Sequence, residues 1–387
     1  RYSASLDLAN FNLKNMVSHA FPSDLSGHLE LRGRSLKNDS LVLTIAAELS
    51  ESTFDDYPIQ HGTGLMEITT RSITFPDTFF ISYFENEFAI SGLVEYSRNI
   101  HLAVRAHLAN LDRYRGKLFL DQPGGRGFGE ATLTGPTRDP HLDGYFVSDS
   151  VWLYGLQGGS CDISFHVQRF LTAPRGTVEA WFINGSLWSF PYDTAYAILG
   201  LDSDVVHIDT ATALGPQAHA VISGELRHLI YPQQLTIDTL TVAVLEQTLY
   251  NRGKIEIAID STGFDFQKAA VVSGHTMLMA LGRLNYDESM HLAVSANNIP
   301  VNNWLRLFRN DIPTDGRASL RSDLTGNFRN PVFTLHARLD SLTYDSLVLG
   351  DLALNGTYQQ QVFTLDSLLL ESHPGQYAAQ GMLNVDI

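Results

Sequence analysis

A single cysteine, Cys161, excludes an internal disulfide and any multi-cysteine metal site. One thiol fits a reducing cytosol, and equally a bacterial periplasmic protein that uses no disulfides. Positive charge is also scarce. Against 42 Asp and Glu stand 26 Lys and Arg, a net charge of −16. With no basic run and no basic–aromatic patch, the footprint of a nucleic-acid binder is missing. No continuous apolar run reaches about 18 residues, so no segment here spans a bilayer as a helix. The chain opens at Arg1 without a methionine or signal peptide, and a strand-like run reaches Ile387. We therefore expect a piece of a longer polypeptide, with any membrane anchor outside it.

What the chain has in quantity is alternation. Of its 387 residues, 44% are hydrophobic, enough for two or three compact domains. Leu29 and Leu31 alternate with Glu30 and Arg32, Leu41, Leu43 and Ile45 follow in step, and Ile255, Ile257 and Ile259 alternate with Glu256, Ala258 and Asp260. Such a period of two describes strands with one face buried and one wet. Turn residues fall between the runs, at Lys37-Asn38-Asp39, Gln122-Pro123-Gly124-Gly125, Asn251-Arg252-Gly253 and His373-Pro374-Gly375. Helical spacing is confined to three short stretches: Asn12 to Ala20 (Leu13, Met16, Val17), Tyr192 to Leu199 ending at Gly200, and Asn302 to Phe308 (Trp304, Leu305). The fold class expected is all-β.

The alternation repeats over a long distance. Shifted by 190 residues, Gly92 meets Gly282, Tyr96 meets Tyr286, His101-Leu102-Ala103-Val104 meets His291-Leu292-Ala293-Val294, and Ala106 meets Ala296. One inserted residue later, Leu133-Thr134-Gly135 meets Leu324-Thr325-Gly326, and Arg138 and Pro140 meet Arg329 and Pro331. Shorter echoes link Leu235–Leu240 with Phe363–Leu368. Repeats at several spacings imply similar strand units stacked along an axis, although two compact domains of one fold would also produce the long repeat. The two repeat-bearing stretches are expected at 1–190 and 191–387, within one continuous sheet.

Chemistry is hard to find. Cys161 and His166 would lie on opposite faces of one strand, so a buried structural thiol is the better reading. Gly158-Gly159-Ser160-Cys161-Asp162 lacks the final glycine of a nucleophile elbow. Gly125-Arg126-Gly127-Phe128-Gly129 fits no phosphate-binding fingerprint and reads as a turn. The fourteen histidines are scattered. His101 and His291 occupy equivalent repeat positions, which points to a structural role. Asp202-Ser203-Asp204 with His207 lacks the calcium-loop pattern, and Asp55-Asp56 and Asp287-Glu288 fall in turn-like stretches. No catalytic residue, cofactor or metal is expected. Between 150 and 200, Trp152, Trp181 and Trp188 crowd with Phe182, Phe190, Tyr192 and Tyr196. They would form a bulky local core, narrow a groove, or face lipid headgroups.

The run Ala296-Asn297-Asn298-Ile299-Pro300-Val301, Gly316, and Leu324-Thr325-Gly326-Asn327-Phe328-Arg329-Asn330-Pro331-Val332-Phe333 resembles the AsmA/TamB superfamily of bacterial envelope proteins. Further instances are Leu6 to Gly33, Leu108 to Gly144, and the strands from Leu347 to Val385. The resemblance implies a long antiparallel sheet curled into a trough, apolar inside and polar outside, with a few short helices. It implies phospholipid transfer between inner and outer membranes, across the periplasm of a double-membraned bacterium. An outer-membrane barrel protein and an inner-membrane anchor would be partners, and no catalytic residues are implied.

Elementary energetics agree with such a trough. A sheet with one apolar face must cover it, and an open groove leaves that lining for a ligand. Rungs of about 15–20 residues would give roughly 20 rungs. The lining expected is Leu102, Val104, Val242, Val244, Ile255, Ile257, Ile259, Leu292, Val294, Leu347 and Leu349. The same residues would fill an ordinary sandwich core. Other functions compatible with the pattern are outer-membrane protein assembly by β-augmentation and a carbohydrate-binding β-solenoid.

Overall fold

The computed structural model describes residues 1–12, 14, 22–34, 41–54, 57–114, 123–153, 156–187, 190–216, 218–228, 232–244, 247–302, 313–327, 330–372 and 375–384. The protein is all-β, with 26 strands among the described residues. This exceeds the roughly 20 rungs expected, because most strands run only 10–15 residues and join by tight turns. Two compact units divide the chain. One comprises Arg1–Asp204 with Thr212–Pro216, the other Val205–Ala211 with Gln217–Ile387.

The first unit begins with β1 (Tyr2–Phe11), β2 (Ser23–Arg34), β3 (Val42–Phe54), β4 (Tyr57–Thr69) and β5 (Ser72–Tyr83). It continues with β6 (Asn86–Glu95), β7 (Asn99–Leu108), a single 3-10 turn at Leu111–Tyr114, β8 (Pro123–Pro136) and β9 (His141–Leu153). It closes with β10 (Leu156–Gly158), β11 (Ser160–Gln168), β12 (Arg175–Leu187) and β13 (Phe190–Asp202). Strand β14 (Val205–Leu214) crosses the division. The second unit holds β15 (Ala218–Arg227), β16 (Gln233–Val244), β17 (Gln247–Asn251), β18 (Ile255–Asp260), β19 (Gly263–Ser273) and β20 (Thr276–Asn285). After these come β21 (Ser289–Pro300), β22 (Thr314–Asn327), β23 (Asn330–Tyr344), β24 (Leu347–Gln359), β25 (Val362–Ser372) and β26 (Gly375–Asn384). Within each unit the strands form an antiparallel meander, in which β10 and β11 share the partners β9 and β12, and β17 and β18 share the partners β16 and β19.

The 190-residue repeat is one hairpin used twice. Gly92 on β6 pairs with Leu102 on β7, and Gly282 on β20 pairs with Leu292 on β21. A side-chain carbon at Gly92 would stand 2.1 Å from the His101 carbonyl oxygen, and at Gly282 2.2 Å from that of His291. With φ of +120° and +114°, both positions require glycine twice over. Leu102 then pairs with Leu133, and Leu292 with Leu324, so the match extends to the third strand.

Two sequence expectations need correction. Tyr192–Leu199 is not a helix but the middle of β13, paired along its length with β12. Its alanines and trailing glycine imitate a capped helix, yet cross-strand pairing overrides that weak preference. Gly125–Gly129 is not a turn but part of β8, whose register against β9 shifts between Arg126 and Gly127 because Asp149 is an extra residue on β9. The helices expected at 12–20 and 302–308 lie outside the described residues, apart from their first positions and residue 14, as do the turns at 37–39 and 373–374, residue Gln122 and the pair 55–56.

Turns are tied by charge. At the β18–β19 turn Asp260 accepts from the Thr262 and Gly263 amides and, at 2.6 and 2.8 Å, from the Arg283 guanidinium. The Arg283 hydrogen bond, reinforced by Thr262, holds the Asp260 carboxyl well below the usual carboxylate range. A carboxylate depressed in the folded state stabilises above its unfolded pKa of about 4 and loses that contribution as pH falls toward the folded value. Asp260→Asn should therefore lower the melting temperature by a few degrees at neutral pH. In thermal scans the gap from the parent should shrink below pH 4.

Candidate apolar binding face

Directly paired residues of antiparallel strands carry their side chains on the same face, so the register traces each face strand by strand. In the first unit one row runs Leu8, Gly27, Leu49, Gly62, Ile81, Phe88, Ala106, Gly129, Phe146, Ile163, Ala180, Ala197. Twelve strands contribute and none places a polar side chain in it. The adjacent row on the opposite face reads Asp7, His28, Glu48, Thr63, Phe80, Ala89, Arg105, Glu130, Tyr145, Ser164, Glu179, Ile198. That face carries ion pairs such as Arg105–Glu130 at 2.9 Å and Arg175–Asp202 at 3.0 Å.

The second unit repeats the arrangement. Leu226, Leu235, Ile257, Phe266, Gly282, Leu292, Leu324, Phe333, Tyr358, Phe363 and Leu383 form an unbroken row from β15 to β26, bypassing the short β17. A parallel row joins Val271, Leu278, Ala296, Leu320, Ala337, Leu354, Leu368 and Ala379. Within the first row Phe333 and Tyr358 stack with ring centroids 4.9 Å apart.

Most of these side chains are half-buried, neither sealed nor fully wet. Some row residues, Ala180, Ile257, Ala296 and Tyr358 among them, are fully buried, and two groups of buried residues form clusters. One cluster joins Val151, Cys161, Ala180, Phe182 and Tyr192 from β9, β11, β12 and β13. The other joins Ile237, Ile255 and Ile257 from β16 and β18. The buried residues of each cluster come from neighbouring strands, and Leu111 of the 3-10 turn packs against the first cluster.

The expected lining residues can now be placed. Leu102 and Val104 sit half-buried on the apolar face of β7. Leu292 and Val294 occupy the equivalent positions of β21. Ile255 and Ile257 are buried in the second cluster and half-buried Ile259 packs against it. Val242 and Val244 pair with Ala220 and Ala218 and are half-buried. They share a face with Ile237 because Asp238 is an extra residue that shifts the phase of β16. Leu349 is half-buried at a similar shift in β24, whereas Leu347, beside the turn to Tyr344, is 60% exposed. Spacing alone overlooked the phenylalanines Phe88, Phe146, Phe266 and Phe333 that complete the rows. Only cross-strand register reveals them.

Recurrent bulges interrupt the ladders, at Ser223/Gly224, Phe266/Ala269, Ala296/Ile299, Asn355/Gly356 and Leu365/Leu368 in the second unit. Each bulge bends its strand, the device by which sheets acquire curvature.

Polar chemistry does not assemble on the described residues. Cys161 lies on the apolar face and His166 on the other, where it meets Asp143. Burial pushes the Cys161 thiol up to about 11, far from a nucleophile's range. Among the described residues no group of three or more His, Cys, Asp or Glu side chains is arranged to hold a metal ion. No described helix is long and apolar enough to cross a membrane.

Fold and faces together define a class: a repetitive antiparallel meander with one apolar and one polar face. The chain matches no protein-family model, no curated protein and no solved structure.

Proposed function

We propose that the apolar face is the floor of an open groove that holds phospholipid acyl chains and lets them move along the sheet. The observation that carries this reading is the unbroken apolar row across twelve strands in the first unit, matched by eleven in the second. A row of twelve strands spaced about 4.8 Å apart runs roughly 50 Å along the sheet, more than the length of an acyl chain. Each buried methylene gains about 0.8 kcal/mol without directional preference. A chain can therefore slide from strand to strand without leaving a deep well. Half-burial of the rows and the recurrent bulges favour a curved, open face over a sealed core. In the setting that the AsmA/TamB resemblance implies, the groove would be a segment of a conduit between the two membranes of a bacterial envelope.

Native mass spectrometry of the purified protein, with lipid extraction from the same sample, tests this. Several phospholipids per chain are expected. Changing Leu102 and Leu292 together to Asp should remove them while the β-type circular dichroism signal remains. A well-folded sample that carries no lipid and acquires none from phospholipid vesicles would overturn the reading.

A further inference from the structure

The aromatic-rich stretch of β12 and β13 does not contribute all its rings to the apolar face. Phe182 and Tyr192 are buried there, but Trp181 points to the opposite, polar face and is 51% exposed. Its cross-strand partners on that face are Asp162 on one side and Tyr196 on the other. The Trp181 and Tyr196 rings lie with centroids 4.1 Å apart and planes 36° from parallel. Glu179, two residues before Trp181 on the same strand, presents a second carboxylate on this face. Its charge, after desolvation, contributes to raising the Tyr196 phenol above its usual value, which places the carboxylate near the ring.

Neither carboxylate is engaged in an ion pair among the described residues, in contrast to Glu130, held by Arg105, and Asp202, held by Arg175. Two uncompensated carboxylates beside an electron-rich aromatic pair attract a cation that is itself weakly hydrated. Tryptophan is the best of the aromatic faces for such a partner.

We infer that Trp181, Tyr196, Asp162 and Glu179 form a binding site for an organic cation, a quaternary ammonium group of the kind carried by choline and by choline-type lipid headgroups. The site lies on the polar face, so it acts independently of acyl chains on the other face. The rings contact the alkylated nitrogen and the carboxylates supply the counter-charge.

Titration of the intact protein with free choline, and separately with glycerophosphocholine, tests this without any acyl chain present. The readout is the set of tryptophan indole N–H resonances, with isothermal titration calorimetry in parallel. Saturable movement of the Trp181 resonance is expected. Trp181→Leu should weaken binding about tenfold, and Asp162→Asn with Glu179→Gln should weaken it severalfold, while Trp152→Leu leaves it unchanged. Binding of choline but not glycerophosphocholine would identify a free amine as the ligand, and binding of both a lipid headgroup. If neither compound gives a saturable shift, or if the Trp181→Leu variant binds choline as tightly as the parent, the site does not exist.

Discussion

Gly92→Val should destabilise the first unit by more than about 3 kcal/mol, and Gly282→Val should do the same to the second. Two independent penalties add. The backbone at φ +120° and +114° belongs to glycine, and a β-branched residue there is held in strain of about 1–3 kcal/mol. The new carbon would also press on a backbone carbonyl oxygen, at 2.1 Å in one case and 2.2 Å in the other. No rotamer relieves that contact, because the obstruction is main chain, fixed by the ladder between β6 and β7 or between β20 and β21. Urea unfolding followed by circular dichroism measures the loss, with Ser91→Val on the wet face of the same strand as a control near zero. Equal losses at the two glycines would show that the repeat is energetic as well as geometric. A loss below 1 kcal/mol at either would mean that the hairpin can relax in a way the register does not allow.

Ile257→Asp should cost about 4 kcal/mol or more, and far more than Leu102→Asp. Ile257 is 8% exposed, wedged between Ile237 and Ile255 with Leu235 and Phe266 against them. A carboxylate placed there has no cation within the cluster, so it must either ionise without a partner or take up a proton at neutral pH. Leu102 is only half-buried and an Asp there can reach water. The pair of variants therefore separates two roles on one apolar face. Ile257 holds the sheet together, while Leu102 is available to a ligand. Comparable losses at both sites, measured by the same unfolding experiment, would indicate a closed core and count against an open groove.

Much of this was legible in the chain itself. Alternation identified which of two faces Leu102, Val104, Leu292 and Val294 would occupy, because a strand's side chains have no other choice. The phase slips between Ile237 and Leu240, and between Leu349 and Leu352, were not read from the alternation. Their cause, an extra residue that bulges the strand, needed the partner strand. Tyr192–Leu199 misled because two alanines and a closing glycine satisfy helical preferences locally, while the pairing with the preceding strand β12 that decides the matter is not encoded in spacing along one strand. The face of Trp181 was undecidable for a related reason. Both Trp181 and Phe182 are large and apolar, so β12 has no wet beat at that point. The unbroken rows are a property of register between strands, which spacing within one strand does not encode.

The meander within each unit also bears on how the molecule comes into being. In the described ladders a strand pairs with the one just made or the next to be made, or skips a single short strand, as at β10/β11 and β17/β18, so none of these pairings waits on a remote part of the chain. Slow folding of all-β proteins comes from closing long loops before any contact rewards the closure. Here each closure is short, and a nascent chain can add one strand at a time to a template that already exists. The same economy operates over evolutionary time. A hairpin inserted between two others finds edges on both sides and continues the rows, provided its alternation is in phase. Length becomes an adjustable quantity, and the duplicated hairpin around Gly92 and Gly282 is the trace such growth would leave.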